Sequence, residues 1–259
     1  NSYLMKFASV SSKAKIGNNV TIKDFAVIED DVEIGDNVEI GSNTFIGNGA
    51  RIANGVKIFH GAVVSTVPQD LKYKGEPTTL EIGEGSVVRE YATLNKGTTY
   101  NDKTVIGKNC LIMNYVHLAH DCIVGDNVII ANSVQFGGHV EIEDWAIIGG
   151  MVGVHQFVKI GQHSIVGFGF RVPKDVPPFI TAGHDPLRFE GLNLVGLKRR
   201  GFSDEAIKSI SGAYDVIYKS GLNVSDGIKK LREGNITKEV ETIIKFIEGS
   251  TRGIIRGEK

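Results

Sequence analysis

Four of the seven histidines in this 259-residue chain lie beside acids, glycines or glutamine in a pattern that suits chemistry at one site. His117 and His120 lie in the segment NYVHLAHD, His139 lies in FGGHV, and His155 lies in GVHQF. Imidazole titrates near physiological pH and can act as a general base, and it is also a common metal ligand. Either use requires a fold that brings these segments together. The other histidines are expected to be ordinary surface residues: His60, His163 and His184.

A six-residue repeat is the element that could position them. An apolar residue, here called the anchor, recurs at every sixth position in two long runs and one short run. A small or β-branched residue usually stands four positions after the anchor, and glycine often follows the anchor directly. The anchors are Ile16, Ile22, Ile28, Ile34, Ile40, Ile46, Ile52, Ile58 and Val64; Ile82, Val88 and Leu94; and Ile106, Ile112, Leu118, Val124, Ile130, Phe136, Ile142, Ile148, Val154, Ile160, Val166 and Val172.

A period of six predicts a β-helix, because it matches neither the period of a strand nor that of an α-helix. It suits a short strand and a tight corner, and three such units close one turn of a triangular coil. Glycine makes up 32 of the 259 residues, and we expect it to adopt the corner dihedrals. The similarity to hexapeptide-repeat proteins implies left-handed winding. The predicted fold is therefore mainly β, a left-handed parallel β-helix with a C-terminal α-helical domain.

Two segments break the repeat, and both are predicted to be protruding loops: residues 65–81 and 95–105. After Val172 the segment PKDVPPF is expected to stop the strand ladder. Helical periodicity follows, with Ser203 as a predicted N-cap. We therefore predict a β-helix domain over residues 6–186 and a helical domain over residues 187–259.

The length of the coil makes a specific prediction about the histidines. Gly138 follows His120 by one full coil of three repeat units, and His139 follows Asp121 by the same interval, so each pair should be adjacent in neighbouring coils. A histidine beside an acid and facing a glycine amide could supply a general base, an orienting carboxylate and an oxyanion donor. That arrangement suits acyl transfer by direct attack of a bound hydroxyl. A zinc site made from the same histidines and a purely structural edge are the alternatives.

Composition and charge exclude other classes of protein. The net charge of −1 argues against a nucleic-acid binder that relies on an overall basic field. The sequence has no run of 18 apolar residues, the length that would predict a membrane span, so membrane insertion is not expected. The only cysteines, Cys110 and Cys122, are expected to be reduced and buried, and we predict a cytoplasmic location.

Six motifs, in order along the chain, resemble those of the bacterial UDP-N-acetylglucosamine O-acyltransferases, which catalyse the first step of lipid A biosynthesis. The motifs are PQDLKYKGEPTT, HLAHDC, GGHV, IIGGMVGVHQF, DVPPF and NLVGLKRRGFS. The resemblance extends from about residue 7 to residue 256. It implies that a hydroxyl of UDP-N-acetylglucosamine attacks the thioester of a 3-hydroxyacyl chain carried by acyl carrier protein.

The resemblance also implies roles for individual residues. His120 matches the general base, Asp121 the adjacent acid, and Gly138 the amide that donates to the oxyanion. The residues that match the sugar site, the cleft around it and nearby binding positions are Gln69, Asp70, Lys72, His117, His139, His155 and Gln156. The residues that match the nucleotide end are Asn193, Arg199 and Arg200.

The family resemblance implies two further properties. Members are homotrimers with sites between neighbouring prisms, and no metal or other cofactor is expected, because the phosphopantetheine is carried by the donor protein. Residues 187–259 have a net charge of +4 and residues 1–186 a net charge of −5, so a basic helical domain could attract an acidic carrier protein.

Phe168 matches the position that limits acyl-chain length in the family. It lies 48 residues, or about 2.7 coils, after His120, which corresponds to a rise of about 13 Å. The ring would then meet an extended chain near its tenth carbon, which favours a shorter donor. Gly167 and Gly169 could instead let the ring turn aside for a longer chain.

Two other functions compete with acyl transfer. One is a trimeric zinc-dependent lyase of the carbonic-anhydrase type, which would use the same solenoid and need three converging histidines. The other is a non-catalytic scaffold, in which the two loops would have no purpose.

Overall fold

Anchor residues that point inward at every sixth position build a triangular prism, and a small helical unit follows it. The computed structural model describes residues 7–257. Residue 6 of the predicted β-helix domain and residues 258–259 of the predicted helical domain lie outside the described residues.

The prism consists of very short strands, most of them two residues long. In chain order, strands β1 to β27 are Ser9–Val10, Lys15–Ile16, Thr21–Ile22, Val27–Ile28, Val32–Ile34, Glu39–Ile40, Phe45–Ile46, Ala50–Ile52, Lys57–Ile58, Val63–Thr66, Thr79–Ile82, Val87–Val88, Thr93–Asn95, Lys103–Ile106, Leu111–Ile112, His117–Leu118, Ile123–Val124, Ile129–Ile130, Gln135–Phe136, Glu141–Ile142, Ile147–Ile148, Gly153–Val154, Lys159–Ile160, Ile165–Val166, Arg171–Val172, Ile180–Gly183 and Arg188–Leu192.

Every third strand joins the same sheet, which confirms the three-sided β-helix. Sheet 1 has nine strands and runs from β1 and β4 to β25, and sheet 2 has eight strands and runs from β2 and β5 to β23. Sheet 3 has ten strands, from β3 and β6 to β24, followed by β26 and β27. All pairs are parallel except the last, between β26 and β27. The core inside is aliphatic, with fully buried anchors such as Ile46, Leu118 and Ile130.

Register confirms the coil of three repeat units and measures both interruptions. Lys15 pairs with Glu33, which lies three units further along the chain. Val63 pairs with Thr93, so the first interruption lengthens one coil by two units. Thr93 pairs with His117, so the second interruption lengthens the next coil by one unit. Since β10, β11, β13 and β14 extend into the predicted loops, the loops themselves are shorter, at residues 67–78 and 96–102.

The expected role of the glycines after the anchors is wrong. The left-handed corner dihedral falls three residues after the anchor, and non-glycine residues often adopt it: Asn37 has φ 58° and Trp145 has φ 63°. Glycines directly after the anchor serve close packing between coils instead. A Cβ on Gly41 would lie 2.5 Å from the main-chain nitrogen of His60 in the next coil.

The β-helix ends with a reversal of strand direction. Strand β26 continues sheet 3 after the PKDVPPF segment, and β27 returns antiparallel to it. Strand β27 therefore lies inside the range 187–259 that the sequence predicts to be helical, and the first helix begins at Leu194. The reversal leaves an edge strand beside the helices, which explains why the six-residue period disappears before the helical period begins.

Within residues 7–257, four helices follow β27: α1 (Leu194–Arg199), α2 (Asp204–Lys219), α3 (Val224–Arg232) and α4 (Lys238–Glu248). The predicted N-cap is confirmed, because the Ser203 side chain accepts a hydrogen bond from the amide of Ala206. Tyr214 of α2 is buried, and its hydroxyl donates to the carbonyl of Pro178, which ties the helices to the prism. No helix within residues 7–257 is both long and apolar enough to span a bilayer.

Candidate active site

The corner between sheet 1 and sheet 2 holds the predicted catalytic residues. His120 and Asp121 follow strand β16, and Gly138 and His139 follow β19, one coil further along. Asp121 and His139 both have left-handed dihedrals, with φ of 60° and 63°. The amide of His139 donates to the carbonyl of His120 at 3.0 Å, which locks the two corners together. The predicted stacking of these residues is therefore confirmed.

His120 lies between a carboxylate and a glycine. Its Nδ1 is 2.7 Å from Oδ2 of Asp121, and only 13 % of its side chain is exposed. An ionised carboxylate can only accept, so Nδ1 carries the hydrogen, and in the neutral imidazole Nε2 is left as an acceptor. A Cβ on Gly138 would lie 2.8 Å from this Nε2, closer than real Cβ contacts. Glycine at position 138 therefore makes room for the imidazole.

The residues that hold Asp121 are not among those that the sequence predicts for the site. Its Oδ1 accepts from the amides of Thr98 at 2.9 Å and Asn101 at 3.2 Å, and its Oδ2 accepts from Oγ1 of Thr98 at 2.6 Å. The amide of Asp121 donates to Oγ1 of Thr104 at 2.9 Å. Burial by itself would raise the pKa of Asp121, but hydrogen bonds from His120, Thr98 and Asn101 lower it to about 2. The carboxylate is therefore ionised at physiological pH.

His139 lies against the same carboxylate but is not bonded to it. Its Nδ1 is 3.7 Å from Oδ2 of Asp121, and that nitrogen is buried without a hydrogen-bond partner. Its ring stacks on Phe157 at 4.3 Å and meets the edge of Tyr100 at 4.5 Å. Burial is the main reason that its pKa is lowered, which favours the neutral imidazole.

The remaining predicted cleft residues lie around this corner. His117, on β16, contacts Oγ1 of Thr93 at 2.8 Å, and burial lowers its pKa. His155 and Gln156 are exposed one coil beyond Gly137 and Gly138. Nδ1 of His155 contacts the carbonyl of Gln156 at 3.0 Å.

The loop at residues 67–78 brings three further predicted residues toward the histidines. Gln69 and Lys72 are exposed and Asp70 is half-buried. Asp70 accepts from the amide of Lys72 at 2.9 Å, and its charge opposes, without overcoming, the lowering of the His139 pKa by burial. The loop is fastened at its end by Thr78, whose hydroxyl donates to the carbonyl of Gly97 at 2.6 Å.

The residues predicted for the nucleotide end lie at another corner, between sheets 2 and 3. Asn193 is buried, where its side chain caps α1 through the amide of Gly196 and donates to the carbonyl of His163. Arg200 lies 5.2 Å from the ring centre of Trp145 and donates to its carbonyl at 3.3 Å. Nη1 of Arg200 is buried and has no hydrogen-bond partner. Arg199 is exposed.

The surface prediction for His163 is wrong. It is only 8 % exposed and stacks between Trp145 and Phe179, with Phe202 against its edge. Burial lowers its pKa to about 4, and the neighbouring Arg200 adds to that effect. A neutral ring therefore packs under the guanidinium. His60 and His184 are exposed as predicted.

Phe168 lies at the third corner, between sheets 3 and 1. Phe168 is 67 % exposed, and its ring packs on the preceding coil, where a Cβ on Gly150 would lie 3.3 Å from two ring atoms. Its separation from His120 equals two coils and two further sides of the prism. The predicted rise along the axis therefore omits a lateral displacement, since the ring and the histidine lie on different corners of one chain.

One group of described residues has the geometry of a metal site. Ligand atoms of His120, Asp121 and His139 lie within 4.8 Å of one another. Both carboxylate oxygens of Asp121, however, already accept hydrogen bonds from Thr98, Asn101 or His120. A metal would have to displace those donors.

Two family descriptions match this chain. Residues 175–255 match the family described as UDP-N-acetylglucosamine O-acyltransferase, domain 2. Residues 13–48, 25–60 and 103–138 match the bacterial transferase hexapeptide family of six repeats. Both the prism and its C-terminal addition therefore have known counterparts.

Several similar proteins are named as UDP-N-acetylglucosamine acyltransferases. The acyl-[acyl-carrier-protein]–UDP-N-acetylglucosamine O-acyltransferase of Burkholderia lata is 43 % identical over 201 residues, which cover 75 % of this chain and 77 % of that protein. The protein of that name from Thiobacillus denitrificans is 43 % identical over 191 residues, with coverage of 73 % and 74 %. The solved UDP-N-acetylglucosamine acyltransferase of Bacteroides fragilis has a TM-score of 0.95 at 45 % identity, covering 98 % of this chain and 100 % of that one. The enzyme of Francisella novicida has a TM-score of 0.95 at 37 % identity, with coverage of 98 % and 94 %.

Proposed function

The chain belongs to the family of acyl-[acyl-carrier-protein]–UDP-N-acetylglucosamine O-acyltransferases, and we propose the following reaction for it. It transfers a 3-hydroxyacyl chain from acyl carrier protein to the 3-hydroxyl of the glucosamine ring of UDP-N-acetylglucosamine, the first step of lipid A biosynthesis. The observation that carries this function is the contact of His120 with both Asp121 and Gly138. The zinc-dependent lyase finds no support among the relatives described above.

His120 is the proposed general base. Its Nε2 takes the proton of the sugar hydroxyl while the hydroxyl oxygen forms a bond to the thioester carbon. The carbon–sulfur bond then breaks, and the same imidazole returns the proton to the departing thiolate of the phosphopantetheine. Asp121 stabilises the imidazolium that forms between these steps, because its carboxylate lies 2.7 Å from Nδ1. General-base catalysis of this kind contributes about 10² to 10⁴ in rate.

Gly138 is the proposed oxyanion donor. Negative charge develops on the thioester oxygen as the hydroxyl attacks, and a main-chain amide can stabilise that charge without reorganising. The donor chain brings its own phosphopantetheine, so the proposed reaction needs no cofactor and no metal. Transfer that persists in a chelator would support this part of the proposal, and loss of transfer restored by Zn²⁺ would contradict it.

In this proposal the sugar contacts residues around the corner between sheets 1 and 2, and the nucleotide contacts residues at the corner between sheets 2 and 3. We assign Asp70, Lys72 and His117 to sugar contacts, and Gln69, His139, His155 and Gln156 to the surrounding cleft. At the nucleotide end, Arg199 and Arg200 face the phosphates, and Asn193 acts through the helix that it caps. The Nη1 nitrogen of Arg200 supports this assignment, because it is buried without a hydrogen-bond acceptor and such burial of an unpaired polar group is costly.

A homotrimer would unite residues that one chain keeps apart. His120, Phe168 and Arg200 lie at three different corners of the prism, so a site that uses all three needs a second copy. An exposed apolar column supports an interface at the corner of Phe168, because Tyr91, Tyr115 and Met151 are about half exposed there and the two tyrosines stack at 5.6 Å. We expect a particle of about 84 kDa, three times the 28.0 kDa chain.

Mixed oligomers test whether the site is shared. Co-expressed His120→Ala and Arg200→Ala chains should regain about a quarter of wild-type sites, because random mixing pairs an intact histidine with an intact arginine that often. If both residues of a site came from one chain, mixing would give only the sum of the two residual activities.

The carrier protein is expected to dock on the basic helical unit. Transfer of the acyl chain from acyl carrier protein to UDP-N-acetylglucosamine by the purified chain tests the proposed function itself.

A further inference from the structure

The segment that interrupts the repeat at residues 96–102 encloses the Asp121 carboxylate. Asp121 is 0 % exposed and Thr98 only 8 %. Thr98 donates twice, through its amide to Oδ1 and through its hydroxyl to Oδ2. Asn101 adds its amide on Oδ1 and its side-chain amide on the Asp121 carbonyl at 3.2 Å. The one-unit insertion into this coil therefore directs its hydrogen-bond donors to a single carboxylate.

Two imidazoles compete for the same oxygen of that carboxylate. Nδ1 of His120 lies 2.7 Å from Oδ2, and Nδ1 of His139 lies 3.7 Å from it. The nitrogen of His139 is buried without a partner, so a small rotation of the carboxylate toward it would satisfy a buried polar atom. Something must hold the carboxylate toward His120.

The hydroxyl of Thr98 is placed to do this. It donates to Oδ2 at 2.6 Å, the shortest bond that the carboxylate receives from the residues described. Together with the two amides on Oδ1, it fixes the rotation of the carboxyl group about its last bond. The remaining lone pair of Oδ2 then points to Nδ1 of His120.

We propose that Thr98 is a positioning residue whose hydroxyl holds Asp121 toward His120 and away from His139, so that His120 keeps its hydrogen on Nδ1 and its Nε2 free. The proposal rests on the proposed function, in which Nε2 of His120 accepts the substrate proton. Thr98 does not touch the reacting atoms and acts only through Asp121. Without the Thr98 hydroxyl, the Asp121 carboxylate would alternate between His120 and His139. The fraction of His120 with its hydrogen on Nδ1 would then fall.

The kinetic test replaces the hydroxyl and then restores it. Thr98→Val keeps the shape of the side chain and should lower kcat about ten- to a hundredfold, as expected for one hydrogen bond to a charged group. KM for UDP-N-acetylglucosamine should change less than about twofold, since no substrate contact is lost. Thr98→Ser should recover most of kcat.

Thr44→Val is the matched control. It removes the hydroxyl of another buried threonine, which donates to the carbonyl of Phe59 at 3.2 Å and has no bond to Asp121 or to the loops at residues 67–78 and 96–102. Its kcat should remain within about threefold of wild type if loss of a buried threonine hydroxyl alone is harmless. An equal loss in Thr44→Val and Thr98→Val would overturn the proposal in favour of a general structural effect.

A double-mutant cycle separates positioning from any other role. In an Asp121→Ala background, Thr98→Val should change kcat by less than about twofold, because the side-chain oxygens through which Thr98 acts are gone. A full additional loss there would overturn the proposal. If that additional loss were seen while His120→Ala still abolished transfer, Thr98 would have no positioning role, and the proposed function would still hold.

The tautomer can also be read directly in the wild-type protein. Histidine labelled with ¹⁵N should give His120, assigned by its loss in His120→Gln, the chemical shifts of a protonated Nδ1 and an unprotonated Nε2. Thr98→Val should shift both signals toward a mixture. A wild-type His120 with its hydrogen on Nε2 would overturn the proposal whether or not the variant folds.

Discussion

Replacing Gly138 by alanine tests the geometry of the site with a single added methyl group. The Cβ would lie 2.7 Å from Cε1 and 2.8 Å from Nε2 of His120, whereas ordinary contacts begin at about 3.4 Å. The imidazole must therefore move by roughly 0.6 Å or more, and it cannot do so without lengthening its 2.7 Å bond to Asp121. Displacement of a catalytic group by about 1 Å costs about 100-fold in rate, so we expect kcat to fall by that order.

The fold should survive this change. Gly138 is not among the residues with a left-handed dihedral, so alanine fits its backbone without strain. Gly212→Ala is the control for an added methyl, because its Cβ would meet nothing within 4 Å. The assay is initial-rate transfer from 3-hydroxyacyl carrier protein to UDP-N-acetylglucosamine, with thermal unfolding measured beside it. A Gly138→Ala enzyme with wild-type kcat would refute the packing argument, as would a variant crystal structure with an unmoved ring.

Phe168→Gly should shift the optimum of kcat/KM toward longer 3-hydroxyacyl donors, and an unchanged preference across a ladder of donors would remove Phe168 from chain-length control. Trp145→Leu should raise KM for UDP-N-acetylglucosamine about three- to tenfold with little change in kcat, because the ring orients Arg200 and such a contact contributes about 1 kcal/mol; Trp145→Phe should restore most of the affinity, and an unaltered KM would contradict this role. Burial lowers the pKa of His163 from 6.5 to about 4, so in this pH range the unfolded chain binds a proton more readily than the folded one. The thermal unfolding midpoint should therefore decrease as the pH is lowered from 6.5 to 4, and it should decrease less steeply in His163→Phe. A midpoint with the same pH dependence in both proteins would assign the effect to other groups.

The β-helix could be predicted from the sequence because its repeat is local and redundant. Each anchor contributes to the same core, so the register of one coil on the next follows from counting repeat units. The same register predicts Gly138 beside His120 and His139 beside Asp121. Both pairings are confirmed, because no interruption falls between these residues.

The residues that hold the site together could not be predicted in this way. Thr98 and Asn101 contact Asp121 from a segment that leaves the repeat, where counting coils carries no information. The only available signal was the interruption itself, which a purely structural prism does not need. Loop side chains find their partners through tertiary packing that no local pattern encodes.

The predictions for the position of Phe168 and the exposure of His163 failed for a different physical reason. The six-residue period fixes the height of Phe168 along the prism, but the distance to His120 also depends on which corner each occupies. The sequence predicts a surface position for His163 because it is not an anchor, yet Phe202, from the segment between the first two helices, covers that corner. A repeat describes one prism and does not indicate what packs against it.

The transfer rate of His120→Ala is the most direct test of the proposed mechanism. Nε2 of His120 accepts the proton of the sugar hydroxyl in this mechanism, and Asp121 and Gly138 serve that one imidazole. The variant should retain its oligomeric state and thermal midpoint while kcat falls by about 100-fold or more. A His120→Ala enzyme that transfers the acyl chain at a rate near that of wild type would contradict the mechanism.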